Sequence, residues 1–387
     1  MIPTDLVITP RDPLILRDGR PFGQLGSAQA GSLNWPRPGT IIGMARTVIG
    51  TLRDPVFFKS YDQNRIDEIR KVAMTAFLPA CKNAHNHYSV FLPAPADAIG
   101  FPVSEEDDRL DIKRLSTVSL NNEVEGTDID WDDFCYAWLN DPRKPAKNMP
   151  PFWKWNYYQQ WLVKGSVLGP INADEIGLSP SEIEERTHVA IASATGAAAE
   201  SQIFTSMGIR FKSDIVIAAR IDISENDQLP STDVAALGGD RRPAFVEWGN
   251  CLVDWPEPPD GLGKGKGFRL ILTTPGIFDG GWAPDWLLKT IKADQYVEVP
   301  GSGIRVRLRG ACIPRWLPSH GWDMTIGKDG APKPMRKMVQ AGAVYFVETD
   351  AADTTAAAAS LWNISLCENE QARRDGFGRI LVGNWIE

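Results

Sequence analysis

The sequence is poor in histidine, has no clustered cysteine and contains no long apolar run. Four histidines stand among 387 residues, at His85, His87, His188 and His320. This leaves few candidates for a general base and no histidine-rich metal motif. The five cysteines are scattered, and even Cys81 and Cys135 are 54 residues apart, which excludes a CxxC clip and a disulfide framework. No apolar stretch reaches the roughly 18 residues of a membrane-spanning helix. The start, Met1 to Asp5, has neither a basic n-region nor an apolar h-region, so no secretory signal is expected. The expectation is a reduced, soluble, cytoplasmic protein with no membrane contact.

An excess of positive charge is also missing. Lys and Arg number 41 against 49 Asp and Glu, a net charge of −8. The distribution changes what this means. Residues 97–134 hold twelve acids and three bases, which accounts for the whole acidic excess. Residues 261–320 hold nine bases and four acids, and the first 80 residues ten bases and seven acids. Localised basic sectors can bind phosphate on a protein that is acidic overall.

The patterning is rich in strands. Leu6 to Thr9, Arg186 to Ala192, Phe204 to Phe211, Ile215 to Ile221, Phe268 to Thr274, Ile304 to Arg309, Ala343 to Glu348 and Arg379 to Gly383 all read as strands. A helix is expected after Pro36-Arg-Pro-Gly-Thr40, with Thr40 as N-cap and an apolar stripe from Ile41 to Leu52. Residues 97–134 read as a solvated acidic excursion, with a soft boundary near 176–185. The order of elements is α+β, without a βαβ alternation.

Several constellations invite chemistry. The pair His85 and His87 lacks an acidic or cysteine partner nearby. His188 could act as a general base or touch RNA, but the sequence supplies no paired group. The acids at 105–108 and 128–133 lack EF-hand spacing. In Gly261-Leu-Gly-Lys-Gly-Lys-Gly267 no Ser or Thr follows Lys266, and a strand follows the loop, so a P-loop is excluded. Trp153, Tyr157 and Trp161 fall at i, i+4 and i+8, the spacing of a core-facing helix stripe, with Trp155 and Lys154 turned elsewhere. Arg305, Arg307 and Arg309 occupy one face of a strand and repel one another unless something anionic covers them. The fourteen tryptophans and many acids also allow a carbohydrate-active enzyme.

One set of blocks resembles a known family. Ile8 to Phe22, containing Arg17-Asp-Gly-Arg20, is similar to the N-terminal signature of the RAMP subunit that caps type III-B (Cmr) CRISPR effector complexes, the third subunit of that module. Trp35 to Thr47, Arg186 to Glu200, Gly238 to Arg242, Thr274 to Pro284, Gly321 to Asp323, Lys333-Pro334, Ala341 to Phe346 and Gly376 to Trp385 continue the series in order. The resemblance implies an α+β fold of two ferredoxin-like, RRM-related modules with antiparallel sheets and long insertions. Residues 1–178 would form an N-terminal module with acidic and aromatic insertions. Residues 179–387 would form a C-terminal module with glycine-rich loops. It further implies a non-catalytic, RNA-binding subunit of an antiviral ribonucleoprotein, without cofactor or metal. That subunit would hold the 5′ handle of the CRISPR RNA and join the large polymerase/cyclase-type subunit to the backbone RAMP subunit, with target RNA nearby. Expected RNA contacts are Arg17, Arg20, Thr40 and Arg46, then Arg186, His188, Lys333 and Arg379, with Gly376, Phe377 and Gly378 allowing close backbone approach. The alternative is an endonuclease that processes precursor CRISPR RNA, with His188 as its only suggestive base.

Overall fold

Alternation of side chains along the first ten residues sets the first sheet. In the computed structural model, the described residues are 1–19, 29–58, 62–104, 107, 109–119, 134–166, 169–293, 295–323, 326 and 330–386. The principal elements are β1 (Ile2–Pro10), α1 (Pro38–Arg53), α2 (Gln63–Arg70), β2 (Ala73–Lys82), α3 (Trp155–Lys164), β3 (Ser181–Ile191), β4 (Ala198–Phe211), β5 (Ile215–Ile223), β6 (Thr232–Leu237) and β7 (Arg242–Gly249). They continue with β8 (Gly267–Leu272), α4 (Asp285–Ala293), β9 (Arg305–Cys312), β10 (Val344–Thr349), α5 (Thr354–Ser360), α6 (Glu370–Arg374) and β11 (Ile380–Trp385). The fold is α+β and its sheets are mostly antiparallel.

The first sheet runs β2-β5-β1-β7-β6, and beyond β2 it is extended by Tyr88–Pro93, Phe152–Lys154 and Gly177–Leu178. Helices α1 and α2 connect β1 to β2, with β5 lying between those two strands. Leu6 and Ile8 of β1 and Ile217, Ala219 and Ile221 of β5 point at Ile41, Ile42, Ala45 and Ile49 of α1. Val7, Val216 and Ala218, one residue out of phase, enter a second core shared with the C-terminal sheet. β1 is therefore buried on both faces, which fixes its register tightly.

The second sheet has the order β9-β10-β8-β11, with Val297–Glu298 beside β9. Along the chain its elements read strand, helix, strand, strand, two helices, strand. β5, β6 and β7 all lie beyond residue 178 and still belong to the first sheet. The chain passes to the second sheet between Asp254 and Gly267. The third unit is a long hairpin of β3 and β4, edged by Gln29–Ala30.

The acidic excursion differs from the expectation. Where described, it folds into a hairpin of Ala98–Pro102 with Leu110–Arg114, and Phe101, Leu110 and Ile112 are buried. Asp97 is fully buried as well. The apolar residues between the acids decide this, since a hairpin needs only one face to dock. Residues 120–133, including Asp128, Asp130, Asp132 and Asp133, lie outside the described residues.

Candidate nucleic-acid interface

A cleft of about 1050 Å³ opens where the first sheet's loops meet the connection between β9 and β10 and the segment around α6. One wall is Ile15 to Arg17, the start of α1 and the Gly238-Gly239 turn; the other is residues 319–323, Lys333, Pro334, Arg336 and part of 369–377. Five basic residues line it, Arg17, Arg37, Arg70, Lys333 and Arg336, against two acids, Asp323 and Asp375. This is the reverse of the balance in the whole chain.

The local sequence explains the walls. After β7's neighbour β6, Gly238 has φ +71°, and Asp240 and Arg241 also adopt left-handed backbone at φ +55° and +50°. This tight turn lets the Gly239 amide donate to the Ile15 carbonyl at 2.8 Å. At Gly19, φ is +85°, and a Cβ there would lie 2.7 Å from the His320 ring. His320 Nε2 donates to the Arg17 carbonyl at 3.1 Å, tying this loop to the connection between β9 and β10. Burial, reinforced by the charge of Arg37, pulls the His320 pKa below its ordinary value. Arg37 crosses the same junction, donating to the carbonyls of Pro318 at 2.8 Å and His320 at 3.4 Å. Its pKa is lowered by burial.

Helix α1 begins at Pro38, one turn earlier than expected, with Arg37 as an N-cap that makes no side-chain cap. Thr40 is not the N-cap. Proline supplies the fixed φ that starts the helix, and Thr40 falls in its first turn. Gly39 and Thr40 face the cleft. The positive end of the α1 dipole therefore points at the same space as the basic side chains.

Of the residues expected to touch RNA, Arg17, Thr40, Lys333 and Phe377 line this cleft. Arg17 and Lys333 are exposed. Arg20 lies outside the described residues. Arg46 does not line the cleft: its guanidinium pairs with Asp375 at 2.6 Å and donates to the carbonyls of Arg70 and Val72. Burial lowers its pKa, and the Asp375 carboxylate opposes that shift. Arg379 likewise donates to the carbonyls of Asn363 and Met74, linking the start of β11 to β2. Gly376 and Gly378 do not line the cleft. At φ +86° a Cβ on Gly376 would meet Met74 at 2.7 Å, and one on Gly378, at φ +70°, would meet the Cys367 sulfur at 2.7 Å. They admit neighbouring protein instead. Arg186 and His188 sit on β3 of the long hairpin and do not line the cleft. Arg186 pairs with Glu184 at 2.6 Å. His188 contacts the Ser206 hydroxyl at 2.7 Å and stacks on Phe204.

The other constellations resolve into structure. Trp153, Tyr158 and Trp161 are fully buried. Tyr158 takes the place expected for Tyr157, because Trp153 belongs to a strand and α3 starts only at Trp155. The arginine face of β9 is covered from within the chain: Arg305 pairs with Asp350 at 2.9 Å and Arg309 with Glu348 at 3.4 Å. The Gly261–Gly267 loop packs on α5 and β11, where Thr354 donates to the Gly263 carbonyl at 2.7 Å. His87 lies 3.1 Å from Asp254. Sequence reasoning does not find Arg37, Arg70, Arg336, His320 or Trp322. Arg37 and Trp322 stand inside the matched blocks, but nothing there distinguishes a cleft residue from a surface one.

No curated protein is significantly similar to the chain. Among solved structures, one similar chain comes from "Cryo-EM structure of the Type III-B Cmr-beta bound to cognate target RNA", at 14% identity and a TM-score of 0.45, covering 88% of this chain and 86% of that one. Another comes from the same assembly described as bound to cognate target RNA and AMPPnP, state 1, at 13% identity and a TM-score of 0.43, covering 88% and 85%. Likenesses this distant carry no weight for the site. The family model described as CRISPR-associated protein (Cas_Cmr3) matches residues 6–385, almost the entire chain, and the protein belongs to that family.

Proposed function

We propose that this protein is a non-catalytic subunit of a type III-B CRISPR effector complex and that its basic cleft holds the 5′ handle of the CRISPR RNA. The observation that carries this is the convergence of Arg17, Arg70, Lys333 and Arg336 with the α1 N-terminus in one cleft of an acidic protein, where Arg37 is buried in the wall and held by the Pro318 and His320 carbonyls. A single-stranded handle offers phosphates to such cations and bases to an aromatic platform. Trp322, which is 54% exposed, stands in the same wall. The order β7-β1-β5-β2 and the order β11-β8-β10-β9 support two ferredoxin-like modules, the second with its full strand-helix-strand-strand-helix-strand sequence. The same reading makes the chain a RAMP protein of the cytoplasm that bridges the large polymerase/cyclase-type subunit and the backbone RAMP subunit, near the target RNA, in antiviral defence. An endonuclease role draws no support from His188, whose ring is engaged by Ser206 and Phe204.

The test is fluorescence anisotropy with a labelled handle RNA and a scrambled RNA of equal length, titrated across salt. Affinity should favour the handle and fall with a log–log slope of about 0.7 per phosphate contacted. Equal binding of both RNAs with no salt dependence would overturn the proposal.

A further inference from the structure

A second groove, of about 520 Å³, lies on another part of the junction between the modules. It is lined by the indoles of Trp255 and Trp362 and by the carboxylates of Asp254 and Glu257. Its chemistry is opposite to that of the basic cleft. The one arginine in its wall, Arg220, is already neutralised by the buried Asp5 at 2.8 Å and lies over the Trp255 ring at 5.4 Å. His87 contacts Asp254. Glu257 is exposed and has no ion pair among the described residues. The groove therefore carries negative charge beside aromatic faces, and the described residues lining it offer no free cation to match it.

The indoles are held in place rather than loosely exposed. Trp255 Nε1 donates to Asp5 at 2.8 Å, and Trp362 Nε1 donates to the Pro256 carbonyl at 3.1 Å. Both rings are thus oriented before any partner arrives, which lowers the ordering cost of binding. A phosphate-bearing guest would meet Asp254 and Glu257 and be repelled. A guanidinium fits both features, because its plane stacks on an indole and its fork matches a carboxylate.

We propose that this groove is a docking site for an arginine side chain on a basic segment of a protein partner. The site is separate from the RNA cleft and does not depend on it.

The test uses the full-length protein and a short arginine–glycine repeat peptide in isothermal titration calorimetry, with the same peptide carrying citrulline for arginine as the uncharged control. The arginine peptide should bind saturably and the citrulline peptide should not. A Glu257→Gln, Asp254→Asn double variant should bind about tenfold more weakly, while handle RNA binding stays unchanged. Glu257→Lys alone, at an exposed position with no ion pair among the described residues, should abolish binding. Equal binding of both peptides, or unaltered binding to these variants, overturns the proposal. So does adenosine competing for the same groove, which would make it a nucleoside site.

Discussion

Asp97 and Arg269, 172 residues apart in sequence, form an ion pair at 2.6 Å in which neither side chain is exposed. The pair is embedded in hydrogen bonds: Trp161 Nε1 donates to the other side of the Asp97 carboxyl at 3.0 Å, and Arg269 Nε donates to the Asn384 carbonyl at 2.8 Å. It fastens the acidic excursion and α3 onto the second sheet. A buried charge that loses its partner is far more costly than an exposed one. Asp97→Asn keeps an acceptor for Trp161 and strands the Arg269 charge. It should destabilise the protein by about 3–5 kcal/mol, read as a shift in the urea midpoint. Replacing both residues, as Asp97→Leu with Arg269→Met, should cost less than either single change. A double variant as unstable as the sum of the singles would contradict this account.

Arg17 and Arg46 look equivalent in the sequence and should behave oppositely. Arg46 is engaged by Asp375 and two backbone carbonyls, so Arg46→Ala should lower the melting temperature. Arg17 is exposed in the cleft wall. Arg17→Ala and Lys333→Ala should leave the melting temperature near the wild type and weaken handle RNA binding. Each should reduce the salt slope by roughly 0.7 for every phosphate that the variant no longer neutralises. A normal melt for Arg46→Ala together with failed RNA binding would return that residue to the interface.

What the sequence makes legible is local. Alternation from Ile304 to Arg309 marks β9, and the run from Ile215 marks β5, because a period of two is written in consecutive residues. It does not show that β5 pairs with β1, more than two hundred residues away, since pairing partners leave no mark on the strand itself. The acids between 97 and 114 hide Phe101, Leu110 and Ile112, so a docked hairpin reads as solvated chain. Tyr157 and Tyr158 are adjacent, and the start of α3 decides which of them is buried. The cleft is half legible. Motif resemblance points to Arg17, Thr40, Lys333 and Phe377, yet what a guanidinium faces is a tertiary fact, and Arg37 and Arg46 are indistinguishable from Arg17 without it.

The glycines at 376 and 378 provide a separation between folding and binding. Both have left-handed backbone, and both face protein atoms where a Cβ would stand. Left-handed backbone costs a side-chain-bearing residue about 1–2 kcal/mol, before any clash with Met74 or Cys367. Both substitutions should be harmful, because Met74 and Cys367 are equally fully buried, and the Met74 Cβ and carbonyl oxygen also lie 3.2 Å from the Cβ position of Gly376. Both variants should melt earlier and, at a temperature where they are folded, bind handle RNA with the wild-type affinity. Weakened RNA affinity without a stability loss would make these glycines part of the interface.

His320 gives the junction a pH dependence whose sign follows from its surroundings. The imidazole is partly buried, beside Arg37, and its pKa is held below the ordinary value of about 6.5. Between the lowered folded value and 6.5, the unfolded chain binds a proton that the folded chain refuses. This contribution to stability is therefore complete above about pH 6.5 and is lost as pH falls from there toward the folded pKa. In the neutral ring Nε2 still donates to the Arg17 carbonyl, so protonation adds a charge near Arg37 without adding this bond. His320→Gln retains a donor of similar reach and removes the titration. Melting temperatures of the two proteins, compared at about pH 7.5 and about pH 5.5, should fall more steeply with acid for the wild type. An equal fall in both would place the acid sensitivity elsewhere in the protein.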